Sequence, residues 1–112
     1  WDGLKIGIAG PPLLVDQGWL LLYHGVSDIN HHYRVGFMLL DRDDPGKVLY
    51  RSPYPILRPT EEFERIGDVD NVVFPCGAVV VKGTLFVYYG GADKVVCVAT
   101  ADLKELLAQI KI

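Results

Sequence analysis

One stretch of this chain occurs twice. GPPLLVDQGWLLLYHG, from Gly10 to Gly25, returns as PCGAVVVKGTLFVYYG, from Pro75 to Gly90. At one constant offset Gly18 falls on Gly83, Tyr23 on Tyr88 and Gly25 on Gly90, with apolar residues matched between them. Further on, VGFMLLD (Val35 to Asp41) lines up with VCVATAD (Val96 to Asp102) at a slightly shorter offset, as though the second copy had shed a few loop residues. A fixed period with loop-sized slippage marks stacked supersecondary units rather than one closed globule. Such units bury their apolar faces only against neighbours, so the repeat predicts a chain that is part of something larger.

Each copy reads as β. Leu4 to Ala9 is short, β-prone and closed by Gly10-Pro11-Pro12. Leu13 to Val15 and Trp19 to Val26 flank Asp16-Gln17-Gly18, a hairpin pattern of two apolar runs around a short glycine-containing turn. Tyr33 to Asp41 is a further strand, Arg42 to Gly46 a turn and Lys47 to Arg51 a short strand. Pro53, Pro55 and Pro59 make Ser52 to Pro59 an extended loop, because proline lacks a ladder donor and turns its predecessor away from helix. In the second copy Asn71 to Pro75 leads into a hairpin of Ala78 to Val81 and Thr84 to Tyr89 around Lys82-Gly83, and Lys94 to Thr100 follows.

Leu103, Leu106, Leu107 and Ile110 then recur at helical spacing behind Thr100 or Asp102 as a cap. They predict one amphipathic helix over about 102–110. The expected fold is all-β: two blade-like units, about 4–51 and 70–101, each of four antiparallel strands, with a short terminal helix. Four strands per ~60 residues is the arithmetic of a propeller blade. Two blades close no ring, so unpaired edges and apolar faces predict self-association or contact with further blades.

Composition removes several classes of function. Half of the 112 residues are apolar, which is not a disordered composition. The net charge is −3 and the basic residues are scattered, so nucleic acid is not an expected partner. No apolar run reaches the ~18 residues of a membrane span, and no N-terminal signal is visible in a sequence that opens at Trp1. Cys76 and Cys97 lie in separate apolar segments without CxxC spacing. They read as buried free thiols of a cytoplasmic protein, with a disulfide or a metal site as the alternative. His31 and His32 are loop residues with no carboxylate or Cys at ligand spacing, so no metal site is expected.

The chain carries no GxSxG, HExxH, P-loop or dinucleotide fingerprint. A few polar residues remain as candidates. Lys5, between Leu4 and Ile6, is either a snorkelling edge residue or a charge aimed into a polar cleft. His24 follows an apolar run and faces away from Tyr23, as a satisfied half-buried histidine or as a functional one. Asp93, beyond Tyr88-Tyr89-Gly90-Gly91-Ala92, suits a sugar-hydroxyl acceptor and equally a turn residue. Arg34 and Asn71 fall at strand ends. Asp43-Asp44 and Glu61-Glu62 look like solvated loop charges, not paired glycosidase carboxylates.

Read in order, several motifs do more together. KIGIAGPP (from Lys5), GWLLLYHGV (Gly18 to Val26), YRVGFMLLD (Tyr33 to Asp41), RSPYPIL (Arg51 to Leu57), NVVFPCG (Asn71 to Gly77), YYGGAD (Tyr88 to Asp93) and ATADL span nearly the whole chain. This series resembles glycoside hydrolase family 130, the β-1,4-mannosyl phosphorylases and mannosidases. The resemblance implies the C-terminal part, about two blades, of a five-bladed β-propeller.

It also implies inverting phosphorolysis of β-mannosides, with inorganic phosphate as co-substrate and no cofactor. Lys5 and His24 match the family's phosphate-binding Lys and His. Lys is a point charge suited to phosphate, and a His beside a dianion is pushed toward its protonated form. Asp93 matches an acidic residue that holds the mannosyl unit, and Tyr89 and Phe74 are lesser candidates for lining the pocket. The catalytic Asp and the phosphate-holding arginines of the family have no counterpart here and are expected upstream. By this resemblance the chain alone is inactive. A mannoside hydrolase of the same family and a non-catalytic fragment are the alternatives.

Overall fold

The computed structural model describes residues 1–110. In chain order the elements are β1 (Lys5–Ile8), β2 (Leu13–Val15), β3 (Gly18–Val26), β4 (Tyr33–Leu40), β5 (Val48–Arg51), α1 (Glu62–Arg65), β6 (Val73–Val81), β7 (Thr84–Gly91), β8 (Val95–Asp102) and α2 (Leu103–Leu107). They form two antiparallel sheets. The first runs β1-β3-β4-β5, with β2 also paired to β3. The second runs β6-β7-β8.

The repeat explains both sheets and the difference between them. β3 and β7 are the matched central strands. In the first copy β1 pairs with Tyr23 to Val26 and β2 with Gly18 to Leu20, so two short strands lie end to end along one edge of β3. Gly10-Pro11-Pro12 separates them, since two successive prolines leave that edge without donors. In the second copy Cys76 and Gly77 stand where Pro11 and Pro12 stood. The chain runs on, and β6 is one continuous strand bent by a register shift between Pro75 and Gly77. The second unit therefore has three strands, not the four expected. The run after Asn71 and the Ala78–Val81 strand are a single element.

Side-chain alternation builds the core. Leu20, Leu22 and Phe37 of the first sheet meet Leu85 and Val87 of the second, and Leu106 and Leu107 of α2 close the cluster. A smaller cluster joins Val35, Val73 and Tyr89. The helix is shorter than 102–110: Asp102 caps it, accepting from the Glu105 N–H at 3.0 Å, and only Leu103–Leu107 is helical. The proline-rich segment is extended as expected. It stays on the edge of β4, where the amide of Val35 donates to Leu57 and that of Ile56 to Val35.

Tight turns close the second sheet, Lys82-Gly83 between β6 and β7 and Ala92-Asp93-Lys94 between β7 and β8. Lys82 and Gly83 both have positive φ (49° and 79°), as do Ala92 and Asp93 (48° and 54°). This is the turn handedness that matches strand twist in hairpins. For Ala92 and Asp93 it is a conformation that L-residues adopt only when their surroundings hold it.

Candidate functional site

The site is built at the end of β3. Tyr23 and His24 face opposite sides of the sheet, and His24 turns toward the second sheet. Its ring lies 4.6 Å from that of Phe74 and 5.6 Å from that of Tyr33, centroid to centroid. Tyr33 is on the neighbouring strand, opposite Val26. Lys5, also opposite Val26 but on β1, places its Nζ over the Tyr33 ring, 5.7 Å from the centroid. Gly7 sits directly across from His24. A Cβ at Gly7 would come within 2.5 Å of His24 Cε1 and 2.9 Å of Nε2, so the ring fills the space a side chain there would take.

Lys5, His24 and Phe74, which come from distant parts of the sequence, are thus neighbours. Tyr33 and Gly7 complete the group. Sequence reasoning had not singled out these two, because only strand register reveals that they face His24.

The electrostatics of His24 follow from this packing. Burial pushes its pKa below the ordinary value, and the Lys5 ammonium pushes it further the same way. A phosphate dianion would push it up. Nδ1 is buried and has no hydrogen-bond partner among the described residues. In the neutral ring a proton on Nδ1 would be a buried N–H without an acceptor, which costs more than a buried lone pair without a donor. The ring is therefore assigned as neutral, with its proton on Nε2. A cationic Lys5 and a His24 N–H donor beside two aromatic rings form an arrangement suited to an anion.

Asp93 lies at the tip of the β7–β8 turn and is exposed. The amide of Lys94 donates to the Gly91 carbonyl to close the turn. The preceding residue is stitched to the start of β6, with the Ala92 amide donating to Val72 at 2.9 Å. Val72 in turn bridges Tyr33. Asp93 thus belongs to the same end of the two sheets as the His24 group.

Tyr89 does not join that group. It is 4% exposed, and its hydroxyl donates to Glu64 Oε2 at 2.5 Å. Sequence reasoning did not single out Glu64. The Glu64 side chain is buried, and Oε1 accepts from the amides of Thr60 (3.0 Å) and Glu61 (2.9 Å). Burial raises its pKa, but the Tyr89, Thr60 and Glu61 donors outweigh burial and hold it below the usual carboxylate range. The same pairing and burial push the Tyr89 hydroxyl well above its ordinary value.

Other candidates are dispersed. Arg34 is on the opposite face of β4, with Nη2 3.3 Å from His32 Nδ1. On that face Tyr23 stacks on Trp1, and Asp2 accepts from both Tyr23 (3.0 Å) and Arg51 (2.7 Å). Asp43 and Asp44 are exposed and donate their amides to Asp41.

The cysteines are free, but Cys76 is exposed rather than buried and Cys97 is half-buried. The register shift at Pro75–Gly77 turns Pro75 inward and Cys76 outward. Among the described residues no group of three or more His, Cys, Asp or Glu is placed to hold a metal ion. Among the described residues no helix is long and apolar enough to cross a membrane.

Comparison with known proteins agrees over the whole chain. A sequence model of the glycoside hydrolase 130 family, described as beta-1,4-mannooligosaccharide phosphorylase, matches residues 1–112. A beta-1,2-mannobiose phosphorylase from Thermoanaerobacter sp. (strain X514) is 51% identical over 106 residues, covering 95% of this chain and 35% of the relative. A 1,2-beta-oligomannan phosphorylase from the same organism is 46% identical over 106 residues, covering 95% and 36%. Among solved structures, the β-1,2-mannobiose phosphorylase of Listeria innocua in complex with β-1,2-mannobiose superposes with a TM-score of 0.91. It has 39% identity, and the match covers 96% of this chain and 30% of that one. The chain spans about a third of the length of the curated relatives it matches.

Proposed function

Since the chain belongs to the glycoside hydrolase 130 family, we propose that it is part of an enzyme that cleaves β-mannosides by inverting phosphorolysis. Its two sheets are part of a five-bladed β-propeller. The observation that carries the proposal is the convergence of Lys5, His24, Tyr33 and Phe74 at one end of the sheets.

In this mechanism a phosphate oxygen attacks the anomeric carbon of the mannosyl unit from the face opposite the leaving group. The C–O bond to the leaving sugar breaks as a general acid protonates that oxygen, and the product is mannose 1-phosphate of inverted configuration. Phosphate is already anionic, so it needs cationic positioning more than a base. Lys5 supplies the charge and His24 the N–H. Asp93 accepts from hydroxyls of the mannosyl unit, and Phe74, which is exposed beside His24, provides an apolar wall. The general acid is an Asp outside these residues, so the 112 residues alone turn over no mannoside.

The exposed apolar residues of β8 are where the remaining blades, or a second copy, would dock; Val96 is 89% exposed.

The test is phosphate dependence in the full-length protein. β-1,2-Mannobiose is the first substrate to assay, because all three relatives described above are named for that linkage, with β-1,4-mannobiose beside it. Phosphate-dependent formation of α-mannose 1-phosphate, followed by NMR, is expected. Release of free mannose at the same rate without phosphate would assign the chain to a hydrolase instead.

A further inference from the structure

Glu64 is a buried carboxylate that the proposed reaction does not use. Among the described residues the only ion pair joins Arg51 to Asp2, so Glu64 has no cation beside it. Its charge is held by Tyr89, Thr60 and Glu61 alone. A buried anion held only by dipoles is an unusual choice if packing were its sole task.

The backbone around Glu64 gives it a second role. The Glu64 carbonyl accepts from Val72 at 3.0 Å and the Arg65 carbonyl from Asn71 at 3.1 Å. On one side Val72 accepts from Ala92, and Val69 donates to Ala92 at 3.0 Å. On the other, the Asn71 carbonyl accepts from Tyr33 at 3.1 Å. One short segment is therefore bonded both to the residue before Asp93 and to the strand end beside Lys5 and His24. The fit is close: a Cβ on Gly67 would lie 2.5 Å from the Ala92 carbonyl oxygen, and one on Gly91 would lie 3.0 Å from that of Phe63. Left-handed Ala92, Asp93 and Asn71 (φ 60°) all sit at these junctions. Conformations of that kind persist where the surrounding structure over-determines them.

We propose that Glu64 is a positioning residue. Its bond to Tyr89 locks the 60–72 segment onto β7, and this fixes the Asp93 turn relative to the Lys5–His24–Tyr33 group, so that sugar and phosphate are held in one reactive geometry. The proposal rests on the phosphorylase reading for the roles of Asp93, Lys5 and His24.

The experiment uses full-length protein carrying Tyr89→Phe or Glu64→Gln. Tyr89→Phe removes one hydroxyl and keeps the ring, so it preserves packing should Glu64→Gln fail to fold. Initial rates are measured against β-1,2-mannobiose and against phosphate, alongside amide exchange by residue. A misplacement of about 1 Å can cost ~100-fold in rate. The expected result is a kcat lowered about 10- to 100-fold with both KM values within about threefold, as for an interaction that matters to transition-state geometry. Exchange should accelerate at Ala92–Lys94 and at Tyr33, and stay unchanged at Leu20–Leu22.

An unchanged kcat in folded Tyr89→Phe protein, or exchange rising equally everywhere, would overturn the proposal by showing a merely structural role. Should wild-type protein show no phosphate-dependent cleavage, the phosphorylase reading fails on its own. Exchange then decides the coupling: acceleration at both Ala92–Lys94 and Tyr33 supports it, and acceleration at neither or only one refutes it.

Discussion

Substituting Gly7 by Ala tests the site with one methyl group. The added Cβ would lie 2.5 Å from His24 Cε1, whereas carbon atoms in contact sit about 3.5–4.0 Å apart. The ring must retreat by about 1 Å or rotate. Phe74 and Tyr33 pack around it, so retreat means disturbing them. Overpacking of this kind costs about 1–3 kcal/mol of stability. The larger consequence is for ligand geometry. A hydrogen bond to a charged partner is worth about 1.5–3 kcal/mol, and losing it corresponds to a fall of about 10- to 150-fold in affinity.

If the full-length protein is the proposed phosphorylase, Gly7→Ala should therefore raise the KM for phosphate about 10- to 150-fold, with a much smaller change in the KM for mannobiose. Initial rates across a phosphate series at saturating mannobiose measure this, and a thermal melt confirms that the variant is folded. A folded Gly7→Ala enzyme whose phosphate KM stays within twofold of wild type would refute the placement of His24 on phosphate.

Three further outcomes are expected. The stability of the protein should fall at acid pH through Glu64: its carboxyl is held low in the folded state, so its contribution is complete above the ordinary Glu value of about 4.3 and is lost as pH drops through the lower folded value. Urea midpoints across pH should show a shallower acid slope for Glu64→Gln, and an identical slope would discount the pairing. The His24 ring should titrate below its ordinary value of about 6.5 by NMR and move upward on adding phosphate; no movement would place phosphate elsewhere. The 112-residue chain on its own should associate with rising concentration in light scattering, and a sharply monodisperse monomer would count against open blade edges.

The hairpins were legible because their signals are local. Apolar runs on either side of Asp16-Gln17-Gly18 and of Lys82-Gly83 admit few other folds, and β2 and β3 lie within a residue of their expected limits. The continuous β6 was not legible. A bulged strand and two short strands share the same apolar pattern, and only the prolines of the first copy distinguish them. Cys76 was misjudged for the same reason, since one extra residue reverses which side faces the core. Lys5, His24 and Phe74 were singled out through family motifs, and their proximity, which the sequence could not show, is a matter of register between strands far apart in sequence. Glu64 left almost no trace. Glutamate is not a favoured helix cap, α1 has only four residues, and nothing local reveals that Tyr89 lies above it.

The two sheets differ in how safely they present their borders, and this gives assembly an order. The first sheet ends in β5, four residues set between Pro45 and Pro53, and on its other side Pro11 and Pro12 interrupt the border. Neither stretch offers a long ladder to a stray strand. β8 offers eight residues, Val95 to Asp102, with no proline and with Val96 and Val98 turned outward. During synthesis or refolding the border of the first sheet should therefore resist stray pairing once it forms, while that of β8 should stay open to another strand. Loss by aggregation should then rise with the time that β8 stays uncovered, so covering that one border should do more for recovery of folded protein than any change at the first sheet's edges.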